Sequence, residues 1–181
     1  ATAEATTFKV SSTDSEILWV GSKVGGQHDG SIKISDGQLK IKDGNIEAGS
    51  FTIDMNSIEN KDLPDEKKGD LVGHLKTGDF FETEKFPKGT FTITGVQAVT
   101  GKPDVTHSIT GDLKLKDVTK SVTFDANVQV VGDKVMAVTP AFTINRTEWG
   151  INFKSGILGV AKDKAISDDI GLTIQLQAAK V

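Results

Sequence analysis

The chain has 181 residues, with 25 Asp and Glu against 21 Lys and Arg, three His and no Cys. That length suits one domain (1–181) with a substantial core. The net charge of -4 provides no positive field for nucleic acid or an anionic bilayer. The missing cysteines exclude disulfides, thiolate nucleophiles and cysteine-bound metal, and no apolar run reaches the roughly 18 to 20 residues of a membrane-crossing helix, so stable membrane insertion is not expected.

The sequence starts ATAEATTF, without Met. A small-residue start is what signal peptidase leaves after an A-x-A-like site, and trimming of the chain gives the same start. The expectation is a mature exported form, periplasmic or secreted.

From there, apolar and polar residues alternate with period two, the pattern of strands with one dry face. Such runs are predicted at 8–10, 17–20, 31–34, 38–42 and 50–55. The alternation breaks at 62–81, where Leu71 and Leu75 fall at helical spacing among charges; this predicts a short amphipathic helix over 65–76, placed to cap an open end. Strands resume at 90–94, 109–116, 121–131, 136–145 and 172–178. The clearest is 121–131, with Val122, Phe124, Ala126, Val128 and Val130 on one face. Asp29-Gly30, Asp36-Gly37, Asp43-Gly44 and Gly132-Asp133 are predicted tight turns, and 156–169 a loop before the last strand. Short turns between many strands read as an up-and-down meander, closed as a barrel or folded as a sandwich.

Residues for chemistry are sparse. There is no G-x-S-x-G elbow, and His28, His74 and His107 stand far apart, none at the i, i+2 or i, i+4 spacing typical of zinc ligands. The Gly21 to Gly30 stretch lacks the P-loop pattern, and its glycines serve a bending strand better. Asp168 and Asp169 read as a solvated turn. No catalytic residue, metal site or catalytic cofactor is expected, and the chain is not read as an enzyme.

Four stretches then resemble the YceI-like family of polyisoprenoid-binding periplasmic proteins, covering roughly Thr7 to Leu176. Ser15 to Trp19 with Gly26-Gln27-His28-Asp29-Gly30 is similar to its opening strand and G-x-H-x-G corner. His74-Leu75-Lys76-Thr77-Gly78-Asp79-Phe80-Phe81, running on to Lys85-Phe86-Pro87, resembles its diagnostic H-L-K-x-x-D-F-F stretch. Ile109 to Lys120 resembles its G-x-L-x-x-x-G-V-T-K strand pair, with Asp117 where glycine is usual. Ile144-Asn145-Arg146-Thr147-Glu148-Trp149-Gly150-Ile151 resembles its I-x-R-x-x-aromatic-G-I element, Trp149 standing in place of the commoner Phe.

The resemblance implies an all-β, eight-stranded antiparallel lipocalin-like barrel with a helix near one end. It also implies binding, transport or storage of a long apolar amphiphile: an isoprenoid, an isoprenoid quinone or a fatty-acid derivative. An eight-stranded barrel is just wide enough to be filled by side chains or to hold one small ligand. Phe51, Ile53, Met55, Phe91, Leu115, Phe142 and Ile144 are expected to line the tube. Trp19, His28, Leu75, Phe80, Phe81 and Trp149 are expected at its mouth or in ligand contact. Arg146, read as embedded among strand residues, must be paired, with Asp79 or Glu148, or must face a polar ligand head. The partner is a long-chain apolar small molecule, and a homodimer is compatible with it. A stress-response or adhesion module with an incidental cavity, and an enzyme acting on the bound lipid, are the alternative readings.

Overall fold

The computed structural model describes residues 5–23, 26–152 and 166–181. Alternation becomes strand almost throughout: β1 (Thr6–Val10), β2 (Glu16–Lys23), β3 (Gly26–Lys42), β4 (Asn45–Asn60), β5 (Lys88–Ala98), β6 (His107–Leu115), β7 (Val118–Val131), β8 (Lys134–Val138), β9 (Phe142–Asn145) and β10 (Ile166–Lys180). Among the described residues one α-helix, α1 (Asp65–Leu75), interrupts them, one residue shorter than the sequence predicts. All pairings are antiparallel, and β2 to β8 in order close through β10 into a ring of eight strands. The meander is therefore a barrel and not a sandwich.

β10 is the long stave that completes the wall. Along one edge it carries β2 and then β1, whose Phe8–Val10 pair with Lys180–Ala178. Along the other it carries β9 on Asp169–Leu172 and β8 on Gln175–Ala179. The predicted 136–145 strand is thus two strands, because Pro140 between them has no N–H for a ladder. Thr139 bridges the break. Its backbone N donates to the Ile174 carbonyl at 3.0 Å, and its Oγ1 accepts from the Ile174 N–H at 2.9 Å.

Two predicted turns hold and two do not. The β3–β4 turn has Asp43 and Gly44 at φ 53° and 79°, and Gly132 at the β7–β8 turn is also positive, at 58°, as primed hairpin turns require. Asp29-Gly30 and Asp36-Gly37 instead lie inside β3, where the register slips between Ser31 and Lys33 and again between Ile34 and Asp36. The β6–β7 turn is made by Lys116 and Asp117 at φ 49° and 66°, so the Asp substituting for glycine does enter the left-handed region. The Ile166–Asp169 part of the predicted loop is strand; 153–165 lie outside the described residues.

Because a slip of one residue turns a strand over, these irregularities decide which side chains point inward. On β3, Ile32 and Ile34 are buried before the slip, and Leu39 and Ile41 after it. On β4, Phe51, Ile53 and Met55 give way to Ile58. One apolar interior therefore runs the length of the barrel.

Candidate functional site: a hollow beneath the helix

The half of the barrel beneath α1 holds a cavity of about 180 Å³. Its wall comes from the length of β2, the first part of β3, the second part of β4, residues of β5, β6, β7 and β9, and the first part of β10, with Leu71 and Leu75 of α1 over one end. Phe80 and Phe81 follow the helix and close the same end. Their loop is pinned by Phe81 N to the Leu75 carbonyl (3.1 Å) and Thr83 N to the Lys76 carbonyl (3.0 Å). His74 packs edge-on against Phe80, with ring centroids 5.1 Å apart, while its Nε2 lies 2.9 Å from Asp79.

A row of four rings narrows the bore. Phe51 stacks on Phe91 at 5.2 Å, Phe91 meets Phe124 at 5.4 Å, and Phe124 stacks on Phe142 at 4.8 Å. The row crosses β6 because Gly111 leaves space there: a Cβ at Gly111 would fall 2.4 Å from Phe91 Cζ and 2.6 Å from the Thr92 carbonyl oxygen. Its last contact spans a gap in the ladder. Among the described residues β9 pairs with β10 alone, and β7 pairs with β8 only from Asn127 onward, so the Phe124–Phe142 stack joins β7 to β9 where strand hydrogen bonds do not. Such pairs contribute about 0.5–1.5 kcal/mol each beyond their area.

Of the residues expected at the site, Trp19, His28, Phe51, Ile53, Met55, Leu75, Phe80, Phe81, Phe91, Leu115, Phe142, Ile144 and Arg146 all line this hollow. Trp149 does not. It is buried at 2% exposure with Nε1 donating to the Leu113 carbonyl at 2.9 Å, so it ties the turn after β9 to β6. The reason is local: Arg146–Trp149 is a 3₁₀ helix, begun by the Asn145 side chain accepting from Thr147 N, and the strand register of Ile144 does not continue through it. Val122, Phe124 and Leu113 line the cavity too, and strand alternation with named neighbours was the signal for each. Ile170, Leu172 and Ile174 of β10 and Ile17 and Ile32 of the opening strands complete the wall.

Arg146 is 1% exposed. Its Nε and Nη2 donate to the carbonyls of Ser167 and Ile166, each at 3.0 Å, and its Nη1 to that of Ile151 at 2.9 Å. The carboxylate it meets is Asp168 of β10, at 3.9 Å, in place of Asp79 or Glu148; Asp168 therefore belongs to a strand and an ion pair. Burial draws the guanidinium pKa down and the Asp168 charge opposes this. The side chain borders the cavity, with Cζ 6.0 Å from the Phe80 centroid, but spends its donors holding the 3₁₀ helix to β10.

The most polar part of the rim is at the start of β3. His28 Nδ1 lies 2.8 Å from Asp62 Oδ2, while Asp62 Oδ1 accepts from Asp29 N at 3.0 Å and from Asn60 Nδ2. Desolvation pushes the Asp62 carboxyl up, but hydrogen bonds from His28, Asp29 and Asn60, with the His28 charge, outweigh it and hold the pKa at about 2. His107 is at the other end of the barrel, buried between Thr106 Oγ1 and Asn45 Oδ1 (2.8 and 2.9 Å), its pKa lowered by burial. Among the described residues no three His, Asp or Glu gather as metal ligands would.

Comparison with known proteins places this architecture. The fold matches BcnA of Burkholderia cenocepacia with a TM-score of 0.72 at 21% identity, over 94% of this chain and 99% of that one. It also matches a polyisoprenoid binding domain from Saccharophagus degradans, implicated in plant cell wall breakdown, at 0.66 and 16% identity, over 96% and 98%. The UPF0312 protein SAUSA300_2620 of Staphylococcus aureus (strain USA300) is 36% identical over 90 residues, 46% of this chain and 48% of that protein; the chain spans about half the length of the curated relatives it matches. Residues 8–178 match the YceI-like domain, and with that span of barrel, helix and loop the chain belongs to the YceI-like family.

Proposed function

We propose that this protein binds the tail of a long apolar amphiphile, an isoprenoid or isoprenoid quinone, in the hollow beneath α1, for carriage or storage and not for catalysis. The observation that carries this reading is a carbon-lined hollow at a barrel end that, among the described residues, a helix and a loop cover and not strands. The fold shared with a polyisoprenoid binding domain supports the same ligand class.

The size of the hollow shapes the proposal. At about 180 Å³ it is close to the roughly 150 Å³ engineered cavity that accepts benzene, so with its rings in place the bore admits one end of a tail. Threading further requires the four-ring row to swing aside. Each CH₂ that enters gains about 0.8 kcal/mol before entropic costs, and that gain is available to offset the lost ring stacking. Export to the periplasm belongs to the same proposal and is tested by cell fractionation. The decisive measurement is gentle purification, organic extraction and mass spectrometry. A recovered polyprenol, prenyl quinone or fatty amide is the expected result. Repeated empty extracts, with no saturable uptake of added polyprenol, would overturn it.

A further inference from the structure

Among the described residues the rim of the hollow carries an oriented polar pair, His28 and Asp62. Asp62, two residues past the end of β4, is a carboxylate whose every described contact is a donor: Asp29 N–H, the Asn60 amide and the His28 ring. The Asn60 amide is itself fixed, since its Oδ1 accepts from Leu63 N at 3.1 Å while its Nδ2 also donates to the Asp29 carbonyl at 3.0 Å. A carboxylate with no proton to give makes His28 Nδ1 the donor, and whenever the ring is neutral its Nε2 is the acceptor. Among the described residues that nitrogen has no hydrogen-bond partner, and His28 lines the cavity. The side chains of His28 and Asp62 are 29% and 27% exposed, so the pair sits at the boundary between the apolar bore and water.

We infer that His28, oriented by Asp62, accepts a hydrogen bond from a hydroxyl head on the tail held in the hollow, so that the preferred ligands are long-chain alcohols or hydroquinols. This rests on the proposed function and sharpens it. A bare hydrocarbon, an ether or a ketone brings no proton to Nε2. A carboxylate or phosphate head meets a lone pair backed by the Asp62 charge. Lys23 and Ser22 line the same rim and supply donors for the oxygen of the hydroxyl whose proton goes to His28. Trp19, two residues before Gly21 and paired across the strands with Gly30, covers the hollow just inside: a Cβ at Gly30 would lie 2.6 Å from Trp19 Cζ2. The polar pair and the apolar bore are thus adjacent on the same two strands.

Farnesol and farnesyl methyl ether share a tail and differ in the proton. By calorimetry or intrinsic fluorescence the wild-type protein is expected to bind farnesol about five- to tenfold more tightly than the ether, within the roughly two- to twelvefold that one net hydrogen bond supplies. His28→Phe should remove the preference, bringing the farnesol and ether affinities to the same value whatever that value is. In the unmutated protein, ¹⁵N spectra of the histidine rings should show the acceptor nitrogen of His28 shifting with farnesol and not with the ether. Equal affinities in the wild-type protein, or a His28 Nε2 resonance that farnesol leaves in place, would overturn the inference while leaving the apolar site standing. Failure of both compounds to bind would remove the site together with its head.

Discussion

Beyond the ring row, away from α1, β3, β7, β8 and β10 bury Leu39, Ile41, Ala126, Val128, Val135, Leu176 and Ala178 in the core, with Phe8 and Val10 of β1 beside them. Beneath α1 the first half of β10 and the neighbouring parts of β3, β4 and β7 surround a hollow. The sheet is shared, so the difference comes from what closes each end. At the filled end β8 and β1 complete the ladder on both edges of β10, and small and branched aliphatics are buried together in the core. At the hollow end β9 is bound on one edge, the wall is joined by ring stacking, and a helix with no buried residue serves as the lid. Hydrogen-bonded closure fixes side chains close enough to fill the bore; closure by rings and a helix leaves room.

That contrast can be broken from either end. Arg146→Met should have the largest effect, about 3–5 kcal/mol, because it leaves Asp168 and three carbonyls without their buried cation. Thermal unfolding should show the loss, and what binding remains should fall equally for farnesol and its ether, since the guanidinium is committed to the backbone. A loss confined to farnesol would return Arg146 to the head of the ligand. Leu39→Ala, at a side chain with 3% exposure paired with Phe8 and Gly49, should cost about 2–5 kcal/mol with ligand affinity unchanged, and a large affinity change would show that the ends are not independent.

Gly111→Ala targets the row between them. Its new methyl collides with the Phe91 ring and the β5 backbone, an overpacking cost of about 1–3 kcal/mol. The displaced ring should also narrow the bore, so polyprenol uptake should drop beyond what the stability change explains; undiminished uptake would mean that the row does not gate it.

Acid should separate the ends by pH. His107 has a folded pKa below its ordinary 6.5, so the unfolded chain binds more protons there. Its contribution is full above 6.5 and declines as pH falls through the lower folded value. Asp62 drops from 3.8 to about 2 on folding, so its contribution is full above 3.8 and is lost as pH falls through 2. Melting temperature against pH should lose the first slope in His107→Gln and the second in Asp62→Asn, and slopes that persist would contradict the assignment. The smallest effect should be a gain. Lys116→Asn with Asp117→Gly places residues suited to positive φ in the β6–β7 turn, worth about 0.5–1 kcal/mol, with ligand binding unaltered.

The alternation in 50–55, 109–116 and 121–131 was enough to identify strands and inward faces, because a two-residue period is a property of the backbone itself. Leu71 and Leu75 marked the helix in the same way, and the His74 to Phe81 stretch marked the family. Other features depended on partners far away in sequence. Asp29-Gly30 and Asp36-Gly37 have turn composition, yet pairing with β2 and β4 keeps them in strand. Trp149 carries the same hydrophobic signature as Phe142, but a 3₁₀ turn points it at β6, away from the bore. Arg146 needed three carbonyls from two later segments before its role could be read, and His28 needed Asp62, 34 residues on. The sequence by itself determined periodicity and polarity, which are local. Tertiary structure decided register, ring contacts and the partner of each buried charge, because these are distances between segments that only closure of the barrel brings together.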